Sequence, residues 1–156
     1  MKDRPTLFLD VDGVLLGHPE RGSSVYQLAN HGLAFLRFAL ARFQVAWATT
    51  HCRHGDSRPV VDYLGDHARN EAERDRLTEL AMQVRPTAFN VCKTEMILRH
   101  PNDQWVWIDD APLASEIEAL RAEGCHDQLL RVNTCRQPDD LRRAMRDLRS
   151  LLELEN

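Results

Sequence analysis

Residues 7–15 read Leu7-Phe8-Leu9-Asp10-Val11-Asp12-Gly13-Val14-Leu15, an apolar run that ends in two aspartates and a glycine. The part from Thr6 to Val11 is rich in strand-forming residues and predicts a strand that is buried on both faces, as central parallel strands are. Open α/β sheets bind their ligands at the carboxyl ends of such strands. Two carboxylates at this edge repel each other, so a site that keeps both ionised usually needs a bound cation.

A second strand, predicted over residues 44–48, ends in Thr49 and Thr50. A hydroxyl at the end of a strand can donate a hydrogen bond to a phosphate oxygen held at the following turn. Thr49 is the first choice for this contact and Thr50 is the second. The next loop, His51-Cys52-Arg53-His54, lacks a fourth ligand at a spacing typical of a metal site, so we expect it to border the phosphate and contact substrate.

Two more segments carry charged residues beside apolar runs. Lys93 begins a short helix predicted over residues 92–100, where the helix dipole disfavours a cation unless an anion lies nearby. The apolar strand predicted over residues 104–108 ends in Asp109 and Asp110. Hard carboxylate oxygens of this kind suit Mg²⁺, which keeps its remaining positions for water and phosphate.

The remaining pattern alternates helices and strands with short connections. A turn or flap follows the first strand at residues 13–24, and a weak strand is predicted at 87–91 and a further strand at 128–132. Helical periodicity is found over residues 30–43, from Leu77 to the stop at Pro86, from Ala114 to Gly124, and from Pro138 onward. This order predicts a single α/β domain over residues 1–156, with helices on both sides of a mainly parallel sheet of about five strands.

Composition limits the classes of function. The 156 residues have a formal net charge of −4, which does not suggest generic nucleic-acid binding, and the arginine stripe of the last helix is expected to be a solvated face. The four scattered cysteines suit a reducing cytoplasm. No apolar run is long enough to span a membrane, and only Met1 to Arg4 precede the first strand, so we expect neither a membrane segment nor a signal peptide.

Together the four segments resemble the motifs of the haloacid dehalogenase (HAD) superfamily: Asp-x-Asp-Gly after a strand, a strand ending in Thr, a lysine, and a strand ending in Asp-Asp. The resemblance implies a Rossmann-like fold in which Asp10 attacks phosphorus and Asp12 is the general acid and base. It implies phosphate binding by Thr49 or Thr50, by Lys93, and by the backbone near Gly13. It also implies Mg²⁺ ligation by Asp10, Asp12 and the Asp109–Asp110 pair, where the second aspartate is the more plausible ligand and the first holds the lysine, although the sequence leaves that order open.

The resemblance also bears on the substrate. Members that cleave carbon–halogen bonds lack an acid at the position of Asp12, so its presence favours phosphoryl transfer. The segments between the motifs are too short for a large cap, and the Trp47-Ala48-Thr49 motif resembles HAD domains associated with RNA repair. We therefore expect a Mg²⁺-dependent phosphatase with an aspartyl-phosphate intermediate.

The open site suits a phosphoprotein or a nucleic-acid end, whereas a small phosphorylated molecule would call for a lid from a second copy of the chain. The alternatives are a catalytically silent phosphate-binding module and a phosphotransferase that uses the same intermediate.

Overall fold

The computed structural model describes residues 4–154, and its centre is a four-stranded parallel sheet. The strands in chain order are β1 (Thr6–Leu9), β2 (Leu16–Gly17), β3 (Gln27–Leu28), β4 (Gln44–Trp47), β5 (Trp105–Asp109) and β6 (Leu129–Arg131). The sheet order is β4-β1-β5-β6, and β2 pairs with β3 as a separate antiparallel hairpin. The strand that ends beside Asp10 is therefore central, with β4 and β5 as its two neighbours.

Helices cover both faces of the sheet. They are α1 (Gly32–Arg42), α2 (Arg58–Asp66), α3 (Glu71–Ala81), α4 (Thr94–Ile97), α5 (Ala114–Ala122) and α6 (Asp140–Leu154). Buried side chains of α1, α2, α3 and α6 pack in one apolar cluster, and those of α4 and α5 pack in the other. This arrangement confirms the predicted α/β fold with helices on both sides of the sheet.

The alternation of side chains along the strands builds both clusters. Leu7 and Leu9 of β1 point into the larger cluster, and Phe8 between them packs in the smaller one. In β5, Ile108 belongs to the larger cluster and Trp107 to the smaller one. Burial on both faces explains why these segments are continuous apolar runs.

The prediction of a strand at residues 87–91 is wrong, and the sheet has four strands instead of about five. This segment makes one isolated bridge, between His54 and Ala88, and the bridge from Ala46 to Arg85 lies just before it. Its backbone donors are used elsewhere, because Phe89 N donates to Arg53 O and the N–H groups of residues 90–92 donate to Glu95. A ladder cannot extend through groups that already have other partners.

The flap predicted after β1 is the β2–β3 hairpin, and the described residues contain no large cap domain. The segment between β4 and α4 holds α2 and α3, whose Leu64 and Leu77 are fully buried in the core. The sequence did not distinguish α2 as a helix of its own. Within residues 4–154 the carboxyl edge of the sheet is therefore bordered by the hairpin, by loops and by α2, without a separate cap domain.

No helix within residues 4–154 has the length and apolar character needed to cross a membrane. The expectation about a signal peptide concerns the first residues of the chain, and residues 1–3 lie outside the described part.

Candidate active site

Three carboxylates meet at the carboxyl edge of the sheet. Asp10 follows β1, Asp109 ends β5, and Asp110 is the next residue. One oxygen from each lies within 4.8 Å of the others. Because β1 and β5 are adjacent parallel strands, their ends bring together residues that are about a hundred positions apart in the sequence.

Lys93 is the cation of this cluster. Its Nζ lies 2.5 Å from Asp109 Oδ2 and 3.1 Å from Asp10 Oδ1. Burial by itself would lower the pKa of Lys93, but the charges of Asp10 and Asp109 outweigh it and raise the pKa above its usual value. The lysine is therefore cationic. The sequence predicted an anion near it, and the structure places two carboxylates there.

Asp10 is nearly buried, and its two oxygens have different surroundings. Oδ1 accepts a hydrogen bond from the backbone N–H of Val11 at 2.8 Å and faces Lys93, whereas Oδ2 has no hydrogen bond within the described residues. Burial, followed by the charge of Asp109, raises the pKa of Asp10 well above its usual value, and Lys93 only partly opposes this. The free oxygen is thus the one available to a ligand, and its ionised form needs more positive charge than Lys93 provides.

The two adjacent aspartates, Asp109 and Asp110, differ in how firmly other groups hold their carboxylates. Asp109 is 1% exposed, its Oδ2 is held by Lys93, and its Oδ1 accepts the N–H of Ala111 at 2.9 Å. The carboxylate of Asp110 is half-buried and lies outside the two ion pairs of Lys93, and its hydrogen-bond donors are the backbone N–H groups of Asp110 itself and of Ala111. Burial and the charge of Asp109 raise the pKa of Asp110. Asp110 is therefore the better candidate ligand, and Asp109 is the partner of the lysine.

The Asp12 carboxylate lies outside the three-carboxylate group and is held by side chains from three other segments. Oδ1 accepts hydrogen bonds from the hydroxyls of Tyr26 and Tyr63, the latter at 2.7 Å, and Oδ2 lies 2.9 Å from His51 Nε2. Burial alone would raise the pKa of Asp12, but these three contacts together lower it. Burial and the Asp12 carboxylate raise the pKa of Tyr63 to about 12, so its hydroxyl stays protonated and continues to donate.

Rings around Asp12 form a continuous wall on one side of the site. His51 stacks on Tyr63 with ring centroids 3.9 Å apart, and His67 lies edge-on to both Tyr63 and Tyr26. His67 Nδ1 is 2.8 Å from the backbone oxygen of Tyr63, which fixes that ring. The wall joins the flap, through Tyr26, to α2, through Tyr63.

The two candidate threonines sit at the end of β4. Ala48 N donates to Leu9 O, so the residue after it, Thr49, lies beside the start of the Asp10 segment. Thr49 is 1% exposed and its Oγ1 accepts the N–H of His51, which leaves the hydroxyl hydrogen free to donate. Thr50 is exposed and starts a single 3₁₀ turn. Thr49 is therefore the better placed of the two, although its role as a phosphate contact stays a prediction.

Gly13 lies at the closest approach of two loops. A Cβ built on it would be 2.1 Å from Asp110 Oδ2, and its φ of +72° belongs to the left-handed region that favours glycine. The carbonyl of Gly13 accepts the N–H of Thr134 at 2.8 Å. Cys135 comes next, close enough to Asp12 and Asp110 that burial first, and then their charges, raise the pKa of its thiol.

The loop that carries Lys93 is held by two glutamates. Glu116 is 3% exposed, and its oxygens accept the N–H of Lys93 at 2.6 Å and the N–H of Leu113 at 2.9 Å. Glu95 accepts the three preceding N–H groups, of residues 90–92. Sequence reasoning missed Glu116, Tyr26, Tyr63 and Cys135, since none lies in a motif, whereas His51 lies in the loop that was expected to border the phosphate.

The donor set fits a Mg²⁺ ion. Three carboxylates share one lysine, and burial followed by the charge of Asp109 raises the pKa of both Asp10 and Asp110, so a bound cation would favour their ionised forms. Oxygen ligands from few carboxylates are typical of Mg²⁺ sites. Asp10 and Asp110 would hold the ion, and ligation by Asp12 stays a prediction, because its oxygens are used by Tyr26, Tyr63 and His51.

Comparison with known families identifies a matching domain family. The sequence model of the HAD domain in Swiss Army Knife RNA repair proteins matches residues 6–134, which include Asp10, Asp12, Thr49, Lys93, Asp109 and Asp110. Comparison with curated proteins found no significant match, and comparison with solved structures found none either.

Proposed function

We propose that this chain, which belongs to the family of HAD domains in Swiss Army Knife RNA repair proteins, is a Mg²⁺-dependent phosphomonoester hydrolase that acts on phosphorylated nucleic-acid ends. The observation that carries the proposal is the meeting of Asp10, Lys93, Asp109 and Asp110 at one edge of the sheet. The family description names RNA repair, and we extend that class of substrate to this chain.

In the proposed reaction Asp10 Oδ2 attacks phosphorus in line with the ester oxygen. An oxygen–phosphorus bond forms to Asp10, the ester bond breaks, and the leaving oxygen takes a proton from Asp12. The reactive form is therefore the one with Asp12 protonated, which is the minor form at neutral pH because the contacts of Asp12 lower its pKa. Water then attacks the aspartyl-phosphate, gives a proton to Asp12, and releases phosphate and the Asp10 carboxylate. Each proton that Asp12 donates in the first step returns in the second.

The neighbouring residues supply position and charge. Lys93 faces the nucleophile and would neutralise charge on the transferring oxygens, and Thr49 would donate its free hydroxyl hydrogen to one of them. Mg²⁺, when bound, offsets carboxylate charge and polarises the phosphoryl group. Tyr26, Tyr63 and His51 hold Asp12 and would be positioning residues for its proton transfers.

The open edge supports a large substrate. Within the described residues the hairpin, loops and α2 border it without a separate cap domain, so the end of a polynucleotide could reach Asp10 without a domain having to open. Phosphoproteins and small phosphorylated molecules, the latter with a lid from a second copy of the chain, are the other classes to test.

The first test measures release of the alcohol from a generic aryl phosphate and from a phosphorylated RNA end, with Mg²⁺ and with excess chelator. We expect metal-dependent release that is lost in Asp10→Asn and kept in Asp75→Asn, which changes an exposed aspartate on α3. Full activity in Asp10→Asn would refute the mechanism.

A second measurement is needed if the protein releases no alcohol from either substrate. Beryllium fluoride with Mg²⁺ mimics an acyl-phosphate at a carboxylate, and we expect it to raise the melting temperature of the wild type but not of Asp10→Asn. No release together with no stabilisation would favour a silent binding module. Transfer to an added alcohol in place of water would instead identify a phosphotransferase.

A further inference from the structure

One cavity is lined by residues that closely follow Thr49 and Lys93 in the chain. Its volume is about 570 Å³, and its lining includes Arg53, His54, Phe89, Asn90, Met96 and Arg99. None of these residues takes part in the chemistry described above.

The cavity carries unpaired positive charge. Neither Arg53 nor Arg99 forms an ion pair or a side-chain hydrogen bond within residues 4–154, and the Arg53 guanidinium lies over the Phe89 ring at 5.6 Å. The Arg53 Nε is buried and has no hydrogen-bond partner there. A guanidinium that is already partly desolvated and lacks an acceptor favours binding of an anion.

The one acid at the cavity does not cancel this charge. Glu95 also lines it, but both of its oxygens accept backbone N–H groups, those of Asn90, Val91 and Cys92. These contacts lower the pKa of Glu95, with a smaller contribution from Arg99. Two guanidinium groups against one carboxylate leave a net positive site in a chain whose formal net charge is −4.

Both walls of the cavity continue from residues of the proposed phosphate site. Arg53 and His54 follow the 3₁₀ turn that begins after Thr49, and Met96 and Arg99 follow Lys93 along α4 and its end. The hydrogen bond from Phe89 N to Arg53 O at 3.0 Å attaches Phe89, which also lines the cavity, to the first of these walls. The cavity is therefore lined by the same two segments of the chain that carry Thr49 and Lys93.

We propose that this cavity is a subsite for a phosphodiester of the nucleic-acid strand whose terminal phosphate is hydrolysed, with Arg53 and Arg99 as the binding residues. The inference rests on the proposed function and deepens it. A polynucleotide carries a second phosphate close to its end, whereas a phosphopeptide needs no second anion at a fixed distance. Because arginine contacts to phosphate position a strand without reading bases, the subsite would be indifferent to sequence.

The test is binding, measured in excess chelator so that it does not depend on turnover. The probe is a short, fluorescently labelled single-stranded RNA with a terminal phosphate, titrated at several salt concentrations. We expect Arg53→Gln and Arg99→Gln each to weaken binding about tenfold, as for loss of one charge-assisted hydrogen bond. Each should also reduce the slope of log K against log salt by about 0.7, the value for one phosphate contact to a single strand.

The matched control is Arg76→Gln, an exposed arginine on α3, which packs on the other face of the sheet from α4. It should leave both affinity and slope unchanged, and the melting temperatures of all variants should equal that of the wild type. Unchanged binding in the Arg53 and Arg99 variants, or no binding by the wild type at low salt, would overturn the subsite.

Two further outcomes separate this proposal from the proposed function. A phosphopeptide that binds as tightly as the RNA, with the same dependence on both arginines, would show that the cavity does not select nucleic acid. A protein that fails to hydrolyse any phosphate but binds RNA through Arg53 and Arg99 would retain the subsite and lose only the hydrolase.

Discussion

Gly13 occupies a place in the site that no larger residue can share with Asp110. Its positive φ would strain any L side chain, and a Cβ at this position would lie only 2.1 Å from Asp110 Oδ2. The glycine of the Asp-x-Asp-Gly motif thus serves two physical needs, a turn after the nucleophile and close approach of the candidate metal ligand.

We expect Gly13→Ala to lower the free energy of unfolding by about 1–3 kcal/mol more than the left-handed backbone alone would, because Asp110 must move. Gly22→Ala is the matched control, since Gly22 has a φ of +79° but nothing within 4 Å of its would-be Cβ. That control should cost about 1–2 kcal/mol, the strain of an L residue at this φ. Urea unfolding of both variants measures the difference, and equal losses would contradict the steric explanation.

The site residues that could be predicted from sequence are those that stand next to a recognisable apolar strand in the chain. Asp10, Asp12 and Asp109 follow apolar strands, so their place at the sheet edge follows from the strand alone. Tyr26 and Tyr63 reach Asp12 from a hairpin and from α2, and no local pattern links positions 14 and 51 residues away. The setting of the proposed acid therefore depends on tertiary packing, which one sequence does not display.

The hairpin is the element that depends most on a distant residue. Thr134 is fully buried, and its Oγ1 lies 3.0 Å from Val14 O and 3.2 Å from Leu16 O, in the turn and strand that lead into the flap. Gly17 faces the same hydroxyl, which a Cβ there would approach to 2.2 Å. One threonine from the loop after β6 therefore anchors the base of the hairpin that carries Tyr26.

We expect Thr134→Val, which keeps the shape and removes the hydroxyl, to lower the free energy of unfolding by about 1–3 kcal/mol, since buried carbonyls lose a donor. Turnover should fall as well, because Tyr26 is no longer held in place against Asp12. Thr134→Ser retains the hydroxyl and should keep most of both properties. Chemical unfolding and initial rates on one substrate measure the pair, and a Val variant that equals the Ser variant would rule out the anchor.

The segment at residues 87–91 shows where reasoning from one element fails. Its composition suits a strand, yet Thr87 donates to Trp47 O with its side chain and Phe89 N donates to Arg53 O, so the segment lines the loop after β4 instead of joining the sheet. Of the four strands that do form, β1, β4 and β5 are mostly buried on both faces, and β6 at the edge is partly exposed. Burial made them predictable, and competition for backbone donors made the fifth unpredictable.

On the scale of the whole molecule, acidic charge is concentrated where the strands end. Asp10, Asp109 and Asp110 face one lysine at the carboxyl edge, with the fourth acid, Asp12, beside them. Their mutual repulsion destabilises the folded protein in the absence of a cation, because unfolding separates the charges. A cation that binds only the folded state should therefore stabilise the whole domain.

We expect Mg²⁺ at about a hundred times its dissociation constant to add about 2.7 kcal/mol, which corresponds to a rise of about 5–10 °C in the melting temperature of a domain of this size. Asp110→Asn should lose most of that rise, and without Mg²⁺ it should melt no lower than the wild type, because one repelling charge is gone. Asp75→Asn on α3 should respond to Mg²⁺ as the wild type does. Thermal melts with Mg²⁺ and with chelator measure this stabilisation. An equal rise in Asp110→Asn would place the ion away from the three carboxylates. No rise in the wild type would mean that Lys93 alone balances their charge.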